Sequence, residues 1–79
     1  MKIYVGNLDE KINSVHLREA FQDFGKVTSA KVIKDRFTGK SKCFGFIEMP
    51  VEEEALNVIK NVNSGTWEGK VIIVKKANY

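Results

Sequence analysis

Ser41-Lys42-Cys43-Phe44-Gly45-Phe46-Ile47-Glu48-Met49 holds the pattern on which the fold turns. In an extended strand, successive side chains point to opposite faces. One face of this stretch then carries Cys43, Gly45, Ile47 and Met49, and the other carries Lys42, Phe44, Phe46 and Glu48. A half-buried strand alternates apolar-in with polar-out, yet here the second face holds two phenylalanines between a lysine and a glutamate. Turning the strand over buries Lys42 and Glu48, which is costly unless both charges are paired. The first face is therefore the core, and Phe44 and Phe46 need another explanation.

The rest of the chain supplies a frame. Ile3, Tyr4 and Val5 begin an apolar strand that stops at Gly6-Asn7. Asn13 offers a helix N-cap, and Leu17, Ala20, Phe21 and Phe24 recur at helical spacing before Gly25 as the stop. Val27 to Asp35 forms a second strand with Val27, Ala30 and Val32 inward, a spacing that requires a bulge or a late strand start. The basic loop Arg36-Phe37-Thr38-Gly39-Lys40 follows, either flexible or a nucleic-acid clamp, with Phe37 packing down or stacking. The third strand is Lys42 to Met49. Pro50 breaks the ladder at a helix start, and Glu52, Glu53 and Glu54 fall in a solvated first turn, where they favour the helix dipole. Ala55, Val58, Ile59 and Val62 give the helix stripe, which Asn63-Ser64-Gly65 ends. Trp67-Glu68-Gly69 makes a turn, Trp67 packs over the second helix, and Val71-Ile72-Ile73-Val74 is the last strand. The order is βαββαβ, the ferredoxin-like split unit.

That order predicts an α+β, two-layer sandwich: two helices on one face of a four-stranded antiparallel sheet. The first and third strands lie adjacent at its centre, and the second face is bare. Tyr4, between inward Ile3 and Val5, points to that bare face with Phe44 and Phe46. Three rings on one open surface call for a partner, because a contiguous exposed apolar patch otherwise invites aggregation. Unpaired nucleic-acid bases are flat and stack on such rings.

Composition limits the alternatives. The 79 residues make one domain, 1–79, with 43% hydrophobic and 29% charged residues, near the low end of what folds without staples. Met1 stands almost directly before the first strand, so no long N-terminal extension is expected. The net charge is only +3. Its placement says more: Lys26, Lys31, Lys34, Arg36, Lys40 and Lys42 face a single acid, Asp35, within one segment, and Lys75 and Lys76 lie near the C-terminal end with no acid after Glu68. Such asymmetry points to a basic patch and a polyanionic partner. Cys43 is the only cysteine and His16, a solvated first-turn residue, the only histidine, so neither a disulfide nor a metal site is expected. Cys43 itself is expected to be a small buried residue. The sequence has neither a signal peptide nor an apolar run long enough to span a bilayer, and a cytoplasmic or other reducing compartment is expected.

At Lys42-Cys43-Phe44-Gly45-Phe46-Ile47-Glu48-Met49 the sequence resembles the RNP1 octamer of the RNA recognition motif, K/R-G-F/Y-G/A-F-V-x-F/Y. Ile3-Tyr4-Val5-Gly6-Asn7-Leu8 resembles the RNP2 hexamer, and the likeness covers essentially the whole chain. The compact frame is similar to stand-alone single-domain members of bacteria and organelles. The resemblance implies a monomeric module for single-stranded RNA, with single-stranded DNA as an alternative, and no cofactor. It makes Tyr4 and Phe44 the base-stacking rings, sets Phe46 against a sugar or base, and gives Lys42 to phosphate. Lys2, Asn7, Lys31, Ile33, Glu48 and Val71 or Ile73 border them, and Lys75, Lys76, Ala77 and Asn78 belong to a segment that crosses the sheet after the last strand. Cys43 and Met49 depart from the usual glycine and aromatic; both alternate to the helix side, where they alter packing rather than binding.

A protein-interaction role is the competing reading, since some relatives bind peptides on the sheet or the helices. An acylphosphatase-like hydrolase needs an anion-cradling loop with arginine after the first strand, where this chain has Asn7-Leu8-Asp9-Glu10. That acidic loop repels phosphate, and the expected protein is not an enzyme.

Overall fold

The computed structural model describes residues 1–77. Its elements are β1 (Lys2–Gly6), α1 (Ser14–Gln22), β2 (Ser29–Lys34), β3 (Ser41–Glu48), α2 (Glu52–Val62), β4 (Thr66–Trp67), β5 (Lys70–Val71) and β6 (Ile73–Lys76). The main sheet has the order β2-β3-β1-β6, all antiparallel, and β4-β5 is a separate hairpin. The expected βαββαβ frame is present, with the first and third strands central.

The core lies between sheet and helices. Ile3 and Val5 of β1, Val32 of β2, Ile47 of β3 and Val74 of β6 are buried against Leu17 and Phe21 of α1 and Ala55 and Val58 of α2. Gly45 makes this docking possible. A side chain there would run into the Lys31 carbonyl of β2 and stand 3.2 Å from a Leu17 methyl, so only glycine lets β2 and α1 close over β3.

Both helices start where the sequence places them, with contacts that it does not show. Asn13 caps α1 by accepting from the His16 amide at 2.9 Å, and His16 Nδ1 accepts the Asn13 amide at 3.3 Å. His16 is exposed, but it completes a capping box instead of standing idle in solvent. Helix α1 stops at Gln22 with Asp23 as its C-cap, one turn before Gly25, so Phe24 leaves the stripe and is half exposed. Pro50 precedes the Val51 N-cap of α2, which has no side-chain cap bond. Glu54 also does more than match the dipole, since its Oε1 accepts from the Lys26 amide at 3.0 Å and ties the α1–β2 loop to α2.

Strand β2 begins late, at Ser29, as the Val27–Ala30 spacing demands, and Val27 is buried just ahead of it. The last strand is displaced. Glu68 and Gly69 both have positive φ, the geometry of a tight two-residue hairpin turn, so Lys70–Val71 folds back on Thr66–Trp67. Val71 is thereby withdrawn from the main sheet, Ile72 is buried between the two ladders, and β6 runs from Ile73 through Lys76. Trp67 faces Phe21 of α1, with ring centroids 6.4 Å apart and tilted by 55°.

The edges of the main sheet are partly sealed by side chains. Ser14 Oγ accepts the Val32 amide of β2 at 2.9 Å, and Asn63 Oδ1 accepts the Val74 amide of β6 at 2.9 Å.

Cys43 is the clearest correction. It is half-buried, lies outside the core cluster and has φ +63, a left-handed conformation that side chains other than glycine, asparagine and aspartate rarely adopt. Val32 pairs with Gly45 and Lys34 with Ser41, so one residue of β2, Ile33, spans Lys42, Cys43 and Phe44 of β3. This is a bulge. Ser41 Oγ accepts the Cys43 amide at 2.9 Å, and the Cys43 carbonyl accepts the Leu8 amide at 2.8 Å, which holds the bulge in place. The usual glycine at this position is thus a backbone requirement that Cys43 meets under strain, rather than a matter of packing.

Candidate nucleic-acid interface

Register places the open-face residues in rows. In one row Lys31, Phe46, Tyr4 and Lys75 stand side by side across β2, β3, β1 and β6. A second row holds Ser29, Glu48 and Lys2, with the Ala77 amide bonded to the Lys2 carbonyl at 3.0 Å. On the other side, Phe44 pairs with Gly6 and Gly6 with Ile73.

The three rings form one cluster. Tyr4 and Phe44 are stacked, with centroids 5.8 Å apart and planes at 30°. Phe46 meets Tyr4 edge-on at 5.8 Å and Phe44 edge-on at 6.0 Å. Tyr4 reaches its diagonal neighbour because Gly6 lacks a side chain; a Cβ there would stand 2.5 Å from the Tyr4 hydroxyl. The rings are half-buried on the face opposite the helix-packed core. Lysines lie over two of them: Lys2 Nζ is 5.1 Å from the Phe46 centroid, and Lys75 Nζ is 5.3 Å from that of Tyr4. Each such cation–π contact contributes about 0.5–1 kcal/mol at an exposed site.

Most residues singled out in the sequence meet here. Tyr4, Phe44 and Phe46 form the centre, and Lys2, Lys31, Glu48 and Lys75 surround it. Ile33 and Ile73 line its border, Ile73 half exposed. Lys75 and Lys76 are part of β6 rather than of a segment after it. Lys76 pairs with the core-facing Ile3, which sets it on the opposite side of the sheet from the rings. Val71 stands in the hairpin, where its carbonyl accepts from Asn7 Nδ2 at 2.7 Å; Asn7, at φ +58, is bonded to the frame just beyond β1. Asn78 lies outside the described residues.

Lys42 stands within the bulge, between the Lys34–Ser41 and Val32–Gly45 pairs. Its charge is felt at Asp35, which begins the β2–β3 loop. The Asp35 carboxylate accepts the Thr38 and Phe37 amides at 3.0 and 2.8 Å. These two bonds, Thr38 first, hold it below its ordinary value, and Lys42 adds to the effect. Phe37 projects from this loop 90% exposed, with the Arg36 guanidinium 5.7 Å from its ring. It does not pack down.

Two contributors were not named from the sequence. Ser29 enters the face because β2 starts there; counting back two residues from Lys31 identifies it. Gly6 provides the seat for the Tyr4 ring, which only the diagonal geometry reveals. Among the described residues no cluster of His, Cys, Asp or Glu is arranged to hold a metal ion, and no helix is long and apolar enough to cross a membrane.

A bare antiparallel sheet with clustered rings and flanking lysines is the architecture of a nucleic-acid-binding module. The RNA recognition motif profile matches residues 3–73, and the chain belongs to that family. It is 47% identical over 68 residues to the cytotoxic granule-associated RNA binding protein tiar-1 of Caenorhabditis elegans, a match covering 86% of this chain and 16% of that protein. It is 41% identical over 76 residues to the chloroplastic 28 kDa ribonucleoprotein of Nicotiana sylvestris, covering 96% of this chain and 28% of that protein. The mitochondrial glycine-rich RNA-binding protein 4 of Arabidopsis thaliana is also 41% identical, with 96% and 56% covered. The chain thus spans between about a sixth and just over half of these relatives. Among solved structures, RNA binding protein PG1 superposes with a TM-score of 0.94 at 44% identity, covering 98% of this chain and 93% of that one. The second RNA recognition motif of the yeast poly(U)-binding protein gives 0.90 at 27% identity, with 99% and 94% covered.

Proposed function

We propose that this chain is one RNA recognition motif domain, residues 1–79, that binds single-stranded RNA on the open face of its sheet. The observation that carries this reading is the Tyr4–Phe44–Phe46 cluster on the sheet face opposite the helices, flanked by Lys2, Lys31 and Lys75. Bases stack on Tyr4 and Phe44, and a sugar or base rests against Phe46. The lysines take the phosphates, and Lys42, within the bulge, takes one near the loop end. The names of the relatives, several of them RNA-binding proteins, support the ligand class. A monomer in the cytoplasm or an organelle is consistent with the free thiol of Cys43 and with the chloroplast and mitochondrial relatives.

The test is titration of labelled short RNA and DNA oligonucleotides at several salt concentrations. Binding weakens with salt by roughly 0.7 log units per tenfold salt for each phosphate neutralised. Two to four engaged lysines therefore give a slope of about −1.4 to −2.8. Undiminished binding by the Tyr4→Ala/Phe44→Ala double variant overturns the stacking mechanism, and salt-insensitive association with a protein favours the interaction reading. Tighter binding of DNA than of RNA overturns the assignment of RNA as ligand.

A further inference from the structure

At the Glu48 end of the open face lies a groove of about 260 Å³, lined by Lys2, Ser29, Lys31, Phe46 and Glu48 among others. Among the described residues of the sheet's open face, Glu48 is an acid among lysines, set in register between Ser29 on β2 and Lys2 on β1. For a surface that gathers phosphates, a carboxylate is counterproductive: it repels the backbone that Lys2 and Lys31 attract. Its presence makes sense if it meets hydrogen-bond donors, because an ionised carboxylate only accepts, through two oxygens.

Resting on the RNA reading above, we infer that this groove is a guanine subsite. The guanine Watson–Crick edge presents two adjacent donors, N1–H and the N2 amino group, which satisfy both oxygens of Glu48 at once. Its O6 and N7 are acceptors suited to a lysine ammonium, and Lys2 and Lys31 stand on either side. The Phe46 ring supplies the apolar wall on which the base lies. The other bases fit worse for a stated reason. Adenine and cytosine offer an amino group beside a ring nitrogen acceptor, which turns a lone pair toward the second carboxylate oxygen. Uracil offers one N–H flanked by two carbonyls. Each leaves an acceptor facing an acceptor, and such mismatches set specificity as much as the good contacts do.

The experiment uses fluorescently labelled pentauridylate and versions with guanine, adenine or cytosine at each position in turn, with anisotropy as the readout. The wild type is expected to bind one guanine-substituted pentamer about tenfold tighter than the corresponding adenine or cytosine version, within the discrimination of a good bidentate pair. Glu48→Gln removes the charge and one acceptor but keeps the shape. It is expected to bring guanine within about twofold of the other bases while modestly tightening binding of pentauridylate, since one repulsive charge has gone. A structural role alone would not produce that pair of opposite changes. A guanine preference below threefold in the wild type, or one that Glu48→Gln leaves intact, overturns the subsite while RNA binding stands. Failure to bind any pentamer overturns the RNA reading, and the subsite with it.

Discussion

The two faces of β1 and β3 come from the same two short strands, yet they obey opposite rules. Toward the helices, Ile3, Val5 and Ile47 are fully buried and Gly45 is bare so that α1 can approach. Toward solvent, Tyr4, Phe44 and Phe46 stay half-buried in contact with one another, and Gly6 is bare so that Tyr4 can lie flat. Branched aliphatic side chains fill volume and gain most from complete burial. Rings keep a planar face available while their edges pack, and a lysine over the face tempers the exposed apolar surface. Each face thus has its own glycine, one admitting a helix and the other a ring.

The separation can be broken from either side. Phe21→Ala empties the covered face and is expected to cost about 3–5 kcal/mol of stability. Thermal unfolding would show the loss, and RNA affinity measured well below the melting temperature should stay near wild type. Phe44→Ala is the counterpart on the open face: an affinity loss of about 1–3 kcal/mol per stacked base, with unfolding little changed. Comparable losses of both properties in either variant would mean that the two faces are not independent. Cys43→Gly sharpens the contrast at the point where alternation fails. Relief of the left-handed strain, offset by glycine's extra chain entropy, should raise stability by about 1 kcal/mol or less, as read from the denaturation midpoint.

The smallest effect is the pH response of the β2–β3 loop. The folded-state pKa of Asp35 lies below its ordinary value of 3.8. Its contribution is therefore complete above that value and disappears as pH falls through the lower, folded one. Amide signals of Phe37 and Thr38 should hold their positions at neutral pH and lose hydrogen-bonded character only below about pH 4. Asp35→Asn should remove that titration without altering base stacking.

The parts of the molecule legible in the sequence are those governed by alternation and helical period. Side-chain polarity at Tyr4, Phe44 and Phe46 assigns faces without reference to backbone angles, and Leu17 with Phe21 and Ala55 with Val58 mark their helices. The shortfalls share a physical cause, which is that the main chain departs from regular geometry. An apolar run such as Val71-Ile72-Ile73-Val74 declares burial but not where a strand breaks. The break comes from the turn at Glu68-Gly69, which commits Val71 to Thr66 and moves the sheet strand two residues on. At Cys43 the residue type argues against the conformation it adopts, and the bulge that results interrupts the alternation that would place Lys42. Lys76 belongs by its place in the sequence with the binding segment, but a strand that reaches residue 76 alternates it to the other side. His16 gives no sequence signal beyond its place three residues after Asn13, because histidine is not the usual partner in a capping box.

The two sealed border amides have a further meaning. A sheet lengthens by offering its outer N–H and C=O groups to an incoming chain, the route to domain exchange and fibril growth. At Val32 that offer is already taken by a serine hydroxyl, and at Val74 by an asparagine carboxamide. An extended peptide pressing against either margin must first evict a side chain already bonded there. The aromatic face can therefore stay apolar while the margins, at those two positions, give a copy of the same sheet nothing to copy from.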